Sequence, residues 1–311
     1  MNVLIVGAGA IGQVFGFHLA QGGARVSYLV RKSHALPSSR AFHLDRLRRW
    51  GRPRTDAFRP HRFFTSLDEL RAEQWAQVWL CVPSPSLETD WVTSLVAATG
   101  DATLVFLPAG LEVVDRLAPP KERTVVGLIS LMSRSSGLGV SYWLPPMVTL
   151  VLEGPEQRRA AAVKLLRRGG CAAVSGDARR AGAFGSAVLI PHVVALEAAG
   201  WSYRALAQGP WLTDSLAATR EASAVAAAQL GTRQPLGPRL LRPWVLRLAL
   251  WLARWAVPFS LEEFFQAHFT KVRRQSEAQL REYIALGKRA GQPTPAIERL
   301  VHQVFEVERG A

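Results

Sequence analysis

The chain has little cysteine. Cys81 and Cys171 are the only two in 311 residues, too few for a disulfide framework or a cysteine-rich zinc site; Cys81, inside an expected strand, is expected to act as a small buried hydrophobe, and Cys171 has no partner in sequence. No spacing of His, Cys, Asp and Glu suggests metal ligation, so no metal is expected. Lysine is also scarce: of 38 basic residues, only those at 32, 121, 164, 271 and 288 are lysines. Acidic residues number 24, which leaves a net charge of +14 and favours anionic partners. No zinc-finger, RNP or homeodomain-like pattern accompanies that charge, so nucleic acid is not an expected partner. No repeat with a period of roughly 20–50 residues can be found. The chain opens on Met1-Asn2 and a Gly-rich motif where a signal peptide would have a basic stretch before an apolar one, so a cytoplasmic protein is expected.

What is present is ordinary globular sequence with one sharp motif. Apolar residues make up 49% and charged ones 20%, close enough to the globular average to argue against disorder or a fibrous chain. The length favours two domains at roughly 100–200 residues each. Asn2–Val6 is a β-branched run that reads as a buried strand. It leads directly into Gly7-Ala8-Gly9-Ala10-Ile11-Gly12, then a helical pattern, then a second apolar run at Arg25–Val30. Strand, glycine turn, helix and strand in that order are the context a dinucleotide fingerprint requires. Gly7 permits the tight turn, Gly9 lets backbone approach a pyrophosphate, and Gly12 lets helix and strand pack closely. The helix N-terminus then presents unpaired N–H groups and a favourable dipole to the phosphates.

The residues after the second strand discriminate between cofactors, because a carboxylate there binds the ribose 2′-hydroxyl of NAD whereas a cation suits the 2′-phosphate of NADP. This chain has Arg31-Lys32-Ser33 and no carboxylate before Asp45, which points to NADP. Ser33–Arg62 then reads as a polar, Arg- and Pro-rich stretch. Strands are expected at 78–82, 103–107, 125–129 and 147–152, with helices at 87–98 and 156–168, an alternation typical of a doubly wound sheet. Strand signals stop beyond Gly176. The expected organisation is an N-terminal Rossmann doubly wound sheet over 1–176 and an all-helical domain over 177–311 for substrate binding and dimerisation.

Trp244–Val257 is 14 residues long with two arginines, short of the roughly 20 a bilayer span needs. Core packing or a homodimer contact is preferred over a membrane surface for it, and it could also line an apolar substrate pocket. Ser130, Ser133, Ser135 and Tyr142 lack a paired base, so no nucleophile is assigned among them.

The Val6–Gly12 motif with Arg31, the strand ending in Pro108-Ala109-Gly110, the long helical pattern at Phe184–Trp201 and the closing His268-Phe-Thr-Lys-Val-Arg-Arg-Gln275 with Gly291-Gln-Pro-Thr-Pro295 resemble the 2-dehydropantoate 2-reductase (ketopantoate reductase) family over essentially the whole chain. The resemblance implies an NADPH-dependent reductase with substrate in an interdomain cleft. It also implies departures. Pro83 and Ala109 fall at cofactor-binding positions where the family carries a lysine and an asparagine. The family's catalytic lysine falls at Gly182, its two helix asparagines at Ser186 and Ile190, and its substrate-clamping glutamate at Gln275.

Hydride addition to a carbonyl builds negative charge on oxygen that a cation or acid must meet, and Gly182 brings neither. A replacement is offered by Lys271, His268 and Gln275, spaced by three and four residues and therefore expected on one face of a helix, with Lys271 or His268 as proton donor. His192 is a weaker candidate. The expected function is reduction of a carbonyl, imine or conjugated double bond of a small molecule, with a non-catalytic NADPH-binding regulator as the alternative and a second copy of the chain as a possible partner.

Overall fold

The computed structural model of the chain describes residues 1–34, 37, 40–87, 90–107, 112–136 and 139–306. Two compact units divide it, Met1–Arg179 and Arg180–Ala311.

Among the described residues the first unit contains twelve strands: β1 (Asn2–Val6), β2 (Arg25–Leu29), β3 (Phe42–Arg46), β4 (Arg54–Phe58), β5 (Phe63–Phe64), β6 (Gln77–Leu80), β7 (Thr103–Phe106), β8 (Thr124–Ile129), β9 (Met132–Ser136), β10 (Gly139–Trp143), β11 (Leu150–Glu153) and β12 (Ala173–Ser175). Helices α1 (Ala10–Gln21), α2 (Trp91–Ala98), α3 (Glu112–Leu117) and α4 (Glu156–Arg168) lie between them. Eight strands form one sheet in the order β12-β11-β8-β7-β6-β1-β2-β5, parallel except where β11 meets β8. Burial explains the β-branched composition: Val3, Ile5, Val105 and Val125 pack on one face, Leu4, Val78, Leu104 and Phe106 on the other, as expected when both sides of a parallel sheet are covered.

Strand order runs outward from β1 through β2 to β5 and resumes on the other side of β1 at β6. The carboxyl ends of β1 and β6 therefore border a topological switch point, the crevice where open α/β sheets take their ligands.

A four-stranded sheet, β4-β3-β10-β9, was not expected. Two of its strands, β3 and β4, come from the polar, Arg- and Pro-rich stretch Ser33–Arg62, where no strand is expected. Phe42 and Leu44 are buried while His43 between them is exposed, so each strand buries one face only. Its short alternation, interrupted by arginine and proline, carries a weaker signal than the continuous apolar runs of the main sheet.

The second unit is helical: α5 (Ala178–Ala198, which starts at the end of the first unit), α6 (Tyr203–Gln208), α7 (Trp211–Gln229), α8 (Leu236–Leu240), α9 (Pro243–Ala256), α10 (Leu261–Phe269), α11 (Arg273–Ala290) and α12 (Pro295–Val301), closed by a π-helical turn at His302–Glu306. Its core is built from Val194 and Leu196 of α5, Leu212 and Leu216 of α7, Leu280 and Tyr283 of α11, and Ile297 and Leu300 of α12. Among the described residues α5 is long and apolar enough to cross a membrane by length and composition, but Ala187, Val193, Val194 and Leu196 are buried in that core.

Two expectations need correction. His268, Lys271 and Gln275 do not share a helix: α10 ends at Phe269, Lys271 lies in the connecting turn, and Gln275 sits in the first turn of α11. Thr270 and Val272 are β-branched and weak helix formers, and Arg273 is tethered elsewhere, pairing with Glu197 and donating to the Val304 carbonyl at 3.0 Å, so the chain turns there. Nor is α9 a core helix. It buries Leu246 and part of Leu250 while Trp244, Leu248, Trp251, Leu252 and Trp255 stay exposed.

Candidate functional site

The Gly7–Gly12 turn joins β1 to α1 at the switch point. Gly7 has φ of +98°, the left-handed region that glycine tolerates best, and its N–H donates to the Leu29 carbonyl at 3.0 Å, tying the turn to the end of β2. A Cβ on Gly7 would meet Val82 Cγ1 at 2.9 Å and one on Gly12 would meet the Gly7 carbonyl oxygen at 2.1 Å. A Cβ on Gly9 would meet nothing within 4 Å. The turn is therefore closed against the protein at its two ends and open in the middle.

Gly9 is also the N-cap of α1, with no side-chain cap and no acidic residue in the first turn. The first N–H groups of a helix have no intrahelical partner, so this open end suits an anion. Ala8, Ala10 and Ile11 are half-buried around it, and Gln13 Nε2 braces the loop by donating to the Ala8 carbonyl at 2.8 Å. From the β2 side, Tyr28 donates to the Gly12 carbonyl at 2.8 Å.

Arg31 and Lys32 follow β2 immediately and are exposed. Because β2 runs parallel to β1 with Leu29 opposite Val6, both cations emerge at the same sheet edge as the glycine turn. Pro83 is exposed just beyond the end of β6, while Ala109 lies outside the described residues. Next to Pro83, the Ser84 hydroxyl is buried with no hydrogen-bond partner among the described residues. The sequence carries no cue to Ser84 beyond its following a strand end at the switch point. Cys81 packs half-buried beside the core and Cys171 is fully buried. Burial raises both thiols, Cys171 to about 12, so neither is a thiolate nucleophile. Ser133 and Ser135 lie on β9, and Tyr142 is buried edge-on to His18 at 5.7 Å between ring centroids.

In the helical unit His268, Lys271 and Gln275 are all exposed. The His268 ring stacks on Phe264 at 6.0 Å and meets Phe269 edge-on at 4.9 Å. Its pKa is lowered, first by desolvation and then by the Lys271 charge, so these two residues remain electrostatic neighbours despite the helix break. Lys271 lines a surface depression of about 420 Å³ with Thr270, Arg273, Arg274 and Glu277. Gly182, Ser186 and Ile190 recur every four residues along α5 and so share a face. Ser186 Oγ accepts from Gln279 Nε2 at 2.5 Å, and Tyr283 donates to the Ala183 carbonyl at 3.4 Å. Gln279, one turn beyond Gln275, is thus the glutamine of α11 that reaches α5, a contact no local sequence spacing announces. His192 Nδ1 lies 3.2 Å from Thr219 Oγ1, its Nε2 is buried and has no partner among the described residues, and burial lowers its pKa to about 4.

Residues 3–146 match the family described as Ketopantoate reductase PanE/ApbA. No curated protein matches the chain. Among solved structures, 2-dehydropantoate 2-reductase from Geobacter metallireducens GS-15 is similar at 17% identity and a TM-score of 0.71, covering 99% of this chain and 100% of that one. A PanE/ApbA family ketopantoate reductase from Ralstonia eutropha JMP134 is similar at 21% identity and a TM-score of 0.70, covering 100% and 99%. A D-mandelate dehydrogenase holding NADH and anilino(oxo)acetate is similar at 16% identity and a TM-score of 0.69, covering 100% and 99%. Residues 3–146 therefore carry the domain that the ketopantoate reductase PanE/ApbA family model describes, and the whole chain has the fold of the solved structures it is similar to.

Proposed function

We propose that the protein is a cytoplasmic NADPH-dependent oxidoreductase that reduces a carbonyl, imine or conjugated double bond of a small molecule. The observation that carries this reading is the open, uncapped N-terminus of α1 at Gly9 with two exposed cations, Arg31 and Lys32, at the end of the neighbouring strand. The N–H groups suit a pyrophosphate, and the cations suit a 2′-phosphate. When bound, the cofactor supplies the hydride. The chain's own residues then have to orient the substrate and hold the proton that the product takes up. Lys271 and His268 are the competing donors, with Gln275 orienting the substrate. Gly182, Ser186 and Ile190 bring no ionisable side chain, so ketopantoate itself is expected to turn over poorly.

That same loss favours a second reading, an NADPH-binding regulator without catalysis. Fluorescence titration with NADPH and NADH, followed by NADPH oxidation against a panel of ketones, imines and enones, separates the two. Tight NADPH binding with turnover of a panel member supports the reductase, and tight binding with no turnover shifts the weight to the regulator. Absence of nucleotide binding overturns both.

A further inference from the structure

We propose that the outward face of α9 docks this protein onto the surface of an anionic lipid bilayer. Trp244, Leu248, Trp251, Leu252 and Trp255 are spaced by four, three, one and three residues, which at about 100° per residue gathers them into an arc of about 100°. They are 65%, 48%, 55%, 47% and 54% exposed. The opposite side holds the helix in place, where Leu246 is buried and Leu250 packs against the helical core, and Arg247, flanking the arc, donates through Nε to the Ala207 carbonyl at 3.0 Å. The apolar arc is therefore the face the fold leaves outward. Single exposed apolar residues are normal on a protein surface, but a contiguous set marks an interaction site.

Charge decides between occupants. The forty positions between Glu221 and Glu262 contain five arginines, 233, 239, 242, 247 and 254, and no acidic residue. Of these, Arg233, Arg239, Arg242 and Arg247 are exposed. The flanking acids are engaged: Glu221 accepts from the backbone N–H groups of Ala296 and Ile297, and Glu262 from that of Tyr203. A twofold contact with a second copy would set this patch against itself, bringing arginine towards arginine with no carboxylate in the segment to answer. Anionic headgroups supply the missing charge, and the acyl boundary takes up the leucines and the indole rings, which favour the interface between water and hydrocarbon. At about 1.5 Å per residue the helix is about 21 Å long, shorter than the hydrocarbon core, so it lies in the interface plane as basic, tryptophan-bearing amphipathic helices do.

The test is co-sedimentation of the purified full chain with vesicles of phosphatidylcholine alone or with about 30% phosphatidylglycerol. Binding is expected only to the anionic vesicles and should weaken between about 0.1 M and 0.5 M salt. Leu248→Glu, at an exposed position, should weaken it at least about tenfold, with circular dichroism confirming that the helices persist. An Arg239→Glu, Arg242→Glu double variant should abolish the preference for anionic lipid. Absence of binding, or equal binding to neutral vesicles, overturns the proposal. So does a concentration-dependent dimer that Leu248→Glu dissociates while vesicle binding is absent, an outcome that assigns the face to a second copy.

Discussion

A Cβ placed on Gly12 would stand 2.1 Å from the carbonyl oxygen of Gly7, whereas one on Gly9 would touch nothing within 4 Å. The two substitutions therefore separate folding from binding. Gly12→Ala forces backbone against backbone and should cost about 3 kcal/mol or more of stability, read by urea unfolding. Gly9 has φ of −70°, which alanine adopts without strain, so Gly9→Ala should unfold like the parent while losing at least about tenfold in NADPH affinity, because its methyl occupies the space the pyrophosphate needs. Unchanged affinity in Gly9→Ala would falsify the cradle assignment.

Arg31 provides the second test. It leaves β2 at the sheet edge that carries the glycine turn, and a hydrogen bond to a charged group is worth about 1.5–3 kcal/mol. Arg31→Ala should therefore weaken NADPH binding by about 10–100-fold and leave NADH nearly untouched. Parallel fluorescence titrations measure the ratio, and an unchanged ratio removes Arg31 from the 2′-phosphate site.

What could be read from sequence follows from how local each signal is. The cradle was legible because a β-branched run, three glycines and a helix start occupy eleven consecutive residues, and α4 was legible from its own periodicity at Glu156–Arg168. The four-stranded sheet was not, since Phe42, Leu44 and Phe58 each bury one face among arginines and only their pairing across β3 and β4 makes them a core. The break between His268 and Gln275 depends on the tether of Arg273 to Glu197, 76 residues away. The Ser186–Gln279 contact spans 93 residues. No periodicity in either helix alone carries such pairings.

Acid should loosen the helical unit through His192. Its folded pKa of about 4 lies below the ordinary value of 6.5 because burial disfavours the imidazolium. A depressed folded pKa means the unfolded chain binds more protons between those values, so the contribution is complete above about pH 6.5 and declines as pH falls towards 4. The loss amounts to about 3 kcal/mol at most. His18, lowered chiefly by burial, acts in the same direction in the first unit. Urea unfolding at pH 7, 5.5 and 4.5 measures the slope, and His192→Gln should flatten part of it. A slope unaltered by that substitution would show that His192 is not its source.

The last test concerns the proton donor, and it begins with a titration that needs no substrate. His268 is held below its ordinary pKa by desolvation against Phe264 and Phe269 and, second, by the positive charge of Lys271. Lys271→Ala removes the like charge and leaves the rings, so the His268 pKa should rise while remaining below 6.5, as followed by the imidazole proton resonances. No movement would mean that the two side chains are not electrostatic neighbours. With an active substrate in hand, removing a proton donor should slow the chemical step by about 10²–10⁴ without affecting NADPH binding. If His268 is the donor, its protonated form is the active one, so single-turnover rates fall as pH rises through its pKa, and Lys271→Ala shifts that fall to higher pH. If Lys271 is the donor, Lys271→Ala loses the rate itself. Full rates in both Lys271→Ala and His268→Ala would leave this exposed turn between α10 and α11 as solvated surface and move the search for the acid to the α5 face around Ser186 and Gln279.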